Sequence, residues 1–182
     1  MKAKDIISHV TRTIEPLDDR IHGRLYRCAA TLTDGTHLPC VVIKNATKRV
    51  DLAIKRFEET RHDKTLHESA GYRATVASFV CSGNIVNDYD IHALDNSPFA
   101  LPIHLVSQIG GETSMGWTEF IGTMDDGVDF CFGTTFDAMF FNMPEGYIAQ
   151  RLVKVVPSIR GERRHETVYR ERPFFECYLR NV

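Results

Sequence analysis

Asp34-Gly35 stands between two strand-like stretches, residues 24–33 and 36–44, which a period of two sorts into an apolar face and a mixed face. Asp-Gly supplies the positive φ that a tight hairpin turn needs, and strict alternation marks a half-buried strand. The pattern therefore predicts an antiparallel hairpin. A two-residue loop sets its register: Leu32 opposite His37, Ala30 opposite Pro39, Cys28 opposite Val41 and Tyr26 opposite Ile43. One face then carries Tyr26, Cys28, Ala30, Leu32, Val41 and Ile43, which suits a core. The other carries Arg27, Ala29, Thr31, Leu38, Val42 and Lys44. Pro39 has no N–H to donate, which places at least the start of the second strand at a sheet edge.

Elements of other kinds flank this hairpin. Residues 3–14 align Ile6, Ile7, Val10 and Ile14 on one helical stripe, ended by Pro16 and Asp18-Asp19. Thr47 is a fitting cap for a helix to about His62, with Val50, Ala53, Ile54 and Phe57 as its buried stripe. Residues 74–81 are apolar and lean to helix, and 84–102 read as loop. Strand-like pieces follow at 115–124, 128–132 and 136–141, with Asp125-Asp126-Gly127 as a turn. Residues 147–156 fit either period, 157–165 read as an exposed basic loop, and 167–170 and 174–179 as closing strands. The irregular order of helices and strands argues for α+β: a single domain over residues 1–182, with an antiparallel sheet, the N-terminal helix and one or two further helices packed on it.

A chain of 182 residues can bury a core without a metal or disulfide, and 43% apolar with 25% charged residues is a globular composition. Cys28, Cys40, Cys81, Cys131 and Cys177 form no Cys-x-x-Cys, so they read as free thiols of a reducing cytosol. No apolar run approaches a membrane span and the N-terminus has no signal core, so a cytoplasmic protein with no membrane association is expected.

Charge is sorted along the chain. No Lys or Arg occurs in the 77 residues 74–150, which hold ten acids: Asp88, Asp90, Asp95, Glu112, Glu119, Asp125, Asp126, Asp129, Asp137 and Glu145. The formal net charge of −2 is therefore a net +4 up to Arg73, −10 in the middle and +4 from Arg151. Such polarity bears on partners and association, not on fold.

Five constellations carry candidate chemistry. Val41-Val42-Ile43-Lys44 resembles the Val-Ala-Ile-Lys strand of protein-kinase-like folds over roughly residues 24–59. That resemblance implies nucleotide-phosphate binding by Lys44, paired with Glu58 or Glu59 of the following helix. Gly-x-Gly-x-x-Gly, His-Arg-Asp and Asp-Phe-Gly are absent, and the plainer reading of Lys44 is an exposed lysine ending a strand. Asp125, Asp126 and Asp129 have the chemistry to hold Mg²⁺ or Ca²⁺, yet Asp-Asp-Gly is ordinary turn chemistry and the spacing matches no calcium loop. His62, His67, His92, His104 and His165 have no metal-ligand spacing. Cys81 and Cys131 lie in apolar surroundings that disfavour a thiolate. Arginines including Arg163 and Arg164 alternate with aromatics near the C-terminus, but the interleaved glutamates and overall negative charge argue against nucleic-acid binding.

The candidate binding residues are thus Lys44, Glu58, Glu59, Asp125, Asp126, Asp129, Arg163 and Arg164. No cofactor and no metal are expected. The leading expectation is a non-enzymatic binding or regulatory protein that presents an acidic surface to a protein partner or to its own twin. The alternative is a nucleotide-binding or kinase-like lobe using Lys44.

Overall fold

A computed structural model of the chain describes residues 1–19, 23–46, 51, 54, 55, 58, 83–135, 138–158 and 167–179. The class is α+β, as expected, built on two sheets. Helix α1 (Ala3–Thr13) leads into β1 (Pro16–Asp19), β2 (Gly23–Leu32) and β3 (His37–Asn45). Then follow β4 (Ile91–Asn96), the one-turn helix α2 (Ile103–Val106), β5 (Thr118–Met124), β6 (Asp129–Thr134), β7 (Leu152–Pro157), β8 (Val168–Arg170) and β9 (Phe175–Leu179). The first sheet runs β1-β2-β3-β9 with β4 also on β2, and the second runs β7-β5-β6-β8. The pairs β3–β9 and β6–β8 are parallel; all the others are antiparallel.

The hairpin forms with a different turn. Leu32 N–H bonds Thr36 C=O and Gly35 N–H bonds Leu32 C=O, so the loop is three residues, with Gly35 at φ 87°. Near it Thr31 pairs with His37 and Ala30 with Leu38, one residue off the expected register. A bulge between Cys28 and Ala30 then restores Cys28–Val41 and Tyr26–Ile43. The extra residue falls on β3 beside Pro39, where a missing N–H disrupts least. β9 joins β3 only from Val41 onward, so the Pro39 end is an edge. The β5–β6 hairpin repeats the turn: Gly127, at φ 85°, donates to Met124, and Met124 donates to Val128.

Both faces of the first sheet are covered. Ile6, Val10 and Ile14 of α1 pack on Tyr26, Cys28, Ala30, Val41 and Ile43, the face expected to be core. The other face buries Leu25, Cys40 and Val42 against Met139 and Phe140. In the second sheet Phe120, Phe132 and Phe141 meet at ring-centroid distances of 5.3–5.9 Å, with Phe141 edge-on to the other two. Fully burying each of these rings contributes roughly 1.5–3 kcal/mol.

Several expected elements differ. The strand expected at 136–141 is, over its described part, a buried crossover. Met139 and Phe140 join one core and Phe141 the other, so the apolar run is wetted on no side and shows no period. Within the expected loop 84–102 lies β4, whose alternation is broken by a bulge: Ile91 and Leu94, three apart, both face the core. Residues 115–117 form a tight turn instead of the start of β5. Ile54, expected to be buried, is 51% exposed; its companions Val50, Ala53 and Phe57 lie outside the described residues. Among the described residues no helix is long and apolar enough to cross a membrane.

Candidate functional site

Lys44 is not the exposed end of a strand. It is 6% exposed and its Nζ lies 2.6 Å from Glu176 Oε1. Parallel pairing puts Glu176 beside Val42 and Tyr178 beside Lys44. Tyr178 Oη donates to the second oxygen of Glu176 at 2.7 Å, and Phe174 presents its ring 5.7 Å from the ammonium. The ion pair that the kinase resemblance assigns to a helix glutamate is made here with a strand glutamate. Glu58 is exposed on a helical segment, while Glu59, Arg163 and Arg164 lie outside the described residues.

Arg27, on the same sheet face, is a second buried cation. Its guanidinium donates to the carbonyls of Leu101 at 2.6 Å, Met139 at 3.1 Å and Ala138 at 3.4 Å. Its Nε is the one buried side-chain N or O without a partner among the described residues. Desolvation pulls its pKa down to about 10, against a smaller upward pull from Glu15, so the group stays charged at neutral pH. Arg27 thus ties β2 to the crossover.

The aspartate turn is closed by the chain itself. Arg151 is the first basic residue after the 77-residue gap. It reaches Asp125 Oδ1 at 2.7 Å and Asp126 Oδ2 at 3.2 Å, and stacks 4.7 Å from the Tyr147 ring. Tyr147 Oη donates to Asp126 at 2.8 Å; that bond and the Val128 N–H hold the Asp126 carboxyl below its ordinary range. Asp129 accepts from Thr123 Oγ1 at 2.6 Å. Asp125 and Asp126 therefore face a guanidinium, the arrangement expected of a braced turn. Among the described residues no three His, Cys, Asp or Glu side chains gather as a metal ion would need. Burial likewise pushes the Cys40 thiol up to about 11 and Cys177 up to about 12, away from nucleophilic use.

Comparison with protein-family models, with curated proteins and with solved structures finds no match in any of the three.

The described residues also enclose a concave site, which no sequence motif announces. A cleft of about 300 Å³ opens between the sheets. Leu17, Asp18 and Asp19 of β1 form one wall, and Val106, Ile109 and Gly110, at and after α2, form another. Thr118 of β5, Thr134 and Thr135 at the end of β6, and Ala138-Met139 of the crossover complete it. Glu171 braces the threonine wall: Thr134 Oγ1 and Thr135 Oγ1 donate to it at 2.6 and 2.5 Å, and the Thr135 N–H at 3.2 Å. Burial alone would raise the Glu171 pKa, but these donors together bring it below the ordinary glutamate range. Behind the opposite wall, Arg27 holds the Ala138 and Met139 carbonyls.

Proposed function

We propose that this is a non-enzymatic binding or regulatory protein of the cytosol, which presents the acids of its middle stretch to a protein partner or to a second copy of itself. One observation carries the reading. Asp95, Glu112, Asp125, Asp126, Asp129 and Glu145 are all exposed, and Arg151 is the one described basic residue that bonds any of them. Exposed like charges repel one another and steer a basic surface toward them. Each copy carries both the −10 stretch and two +4 stretches, so two copies related by a two-fold axis can satisfy each other.

The contact is made through side chains rather than by strand addition. Edge strand β7 exposes Val153 and Val156, at 55% and 42%, but it also carries a bulge, Lys154 and Pro157. These are the devices that keep sheet edges from pairing. The four described cysteines are free and buried, in keeping with a reducing compartment. Nucleotide binding through Lys44 would require its ammonium to leave Glu176, and no observation favours that.

Sedimentation velocity across a salt series tests the reading. Self-association is expected at low ionic strength and dissociation toward 1 M salt, where the Debye length shrinks to about 3 Å. Asp95→Asn with Glu112→Gln and Glu145→Gln should weaken it at every salt concentration. Association that strengthens with salt would overturn an electrostatic contact.

A further inference from the structure

Resting on the self-association reading above, we infer that two copies of this chain meet face to face through the outer surface of the second sheet, on an apolar row that crosses all four of its strands.

Phe120 and Phe132 pair across β5 and β6 and point into the core. Side chains alternate along a strand, so the residues next to them point to the opposite face. On that face the register sets Val156 of β7 beside Ile121, Ile121 beside Cys131, and Cys131 beside Val168 of β8. The four make one unbroken row in the strand order β7-β5-β6-β8. None of them belongs to the cores described above. Val156 is 42% exposed, and Ile121 and Val168 are half-buried, so the row is open to contact.

Charges of both signs flank the row. On one side Lys154 of β7 and Asp129 of β6 stand either side of Thr123. On the other, Glu119 of β5 and Arg170 of β8 stand either side of Gly133. Within one copy, each of these bases is two strands from the acid of its own side. A second copy related by a two-fold axis closes that gap. A half-turn about the apolar row sets Lys154 one strand from the partner's Glu119, and Asp129 one strand from the partner's Arg170. A half-turn about the strand direction sets Lys154 one strand from the partner's Asp129, and Glu119 one strand from the partner's Arg170. In both cases apolar row meets apolar row and every base meets an acid. One strand spacing is about 4.8 Å, which the long stems of lysine and arginine can span. Both acids come from the −10 stretch and both bases from the C-terminal +4 stretch.

Three of these charged groups are already held in place. Trp117 Nε1 donates to Glu119 at 2.8 Å, Thr123 Oγ1 donates to Asp129 at 2.6 Å, and Arg170 stacks 5.0 Å from the Trp117 ring. Trp117 lies against Gly133, where a Cβ would come within 2.2 Å of the ring. Groups fixed beforehand lose little freedom on pairing. Lys154 is exposed and makes no ion pair among the described residues. The face holds fewer residues than the roughly 20–30 a side of a standard interface, so the pair is weak and reversible.

Sedimentation velocity of the full chain at low salt tests the surface. Val156→Asp, which puts a charge on the row, is expected to abolish association with an unchanged near-UV circular dichroism spectrum. Lys154→Glu, Glu119→Lys and Asp129→Lys, each alone, should weaken it at least about tenfold. An equimolar mixture of Lys154→Glu with Glu119→Lys restores association if the axis follows the row, and Lys154→Glu with Asp129→Lys if it follows the strands. Recovery in neither mixture, or Val156→Asp chains that associate like the parent, would overturn this face while leaving salt-sensitive self-association of the parent intact. A parent chain that stays monomeric at every salt concentration would remove the self-association reading and this surface with it.

Discussion

Glu176→Leu is expected to cost about 3–5 kcal/mol of folding stability, because it strands the Lys44 ammonium in the sheet interior without its carboxylate. The Lys44 side chain is 7% exposed and that of Glu176 16%, so water cannot replace the lost partner. Lys44→Met with Glu176→Leu should recover most of the loss, since a buried pair and a well-packed apolar pair of similar volume are often nearly equivalent. Denaturant midpoints of the four proteins in this cycle give the coupling directly. A Glu176→Leu protein within about 0.5 kcal/mol of the parent, the range of an ordinary surface change, would mean that the ammonium reaches solvent.

Arg27→Ala is the second large effect. It leaves the Leu101, Ala138 and Met139 carbonyls without their donor. At roughly 1–3 kcal/mol for each buried orphan, a loss of about 3 kcal/mol or more is expected. Arg27→Lys should recover only part, because one ammonium cannot span three carbonyls as the planar fork does. The pH dependence has a definite sign. The folded-state pKa lies near 10, below arginine's ordinary value, so the native state binds fewer protons than the unfolded chain above pH 10. Stability due to this group should therefore rise as pH climbs through that region, and stay flat between pH 6 and 8. Hydrogen exchange should show the loss at residues 99–101 and 138–141, ahead of α1. Uniform loosening of the whole chain would contradict a local tie.

The parts of the fold legible in the sequence are those specified by neighbours in the chain. Gly35 and Gly127 mark their hairpin turns because a positive φ favours glycine, and α1 shows its stripe because one face alone is buried. What stayed hidden was set by distance or by irregularity. The bulge within β4 shifted Leu94 out of the alternation that would have announced a strand. The crossover at 138–141 has apolar neighbours on both sides, so no period survives. Glu176 lies 132 residues from Lys44, and only the parallel β3–β9 register brings them together. A usable signal did exist: a lysine at a buried strand position demands a carboxylate on an adjoining strand, and Glu176 alternates correctly within 174–179. For the cleft no such signal exists, since β1, α2, β5, β6 and the crossover each contribute a few residues. The charge sorting resolves partly within the chain, where Arg151 closes on Asp125 and Asp126.

Native mass spectrometry of the protein purified gently from its host tests the binding role most directly, because it reports subunit count, partner and small ligand together. The expected result is the chain bound to a second copy or to another polypeptide, released as ionic strength rises. A lone chain at every ionic strength, or one that carries only a nucleotide, would contradict it.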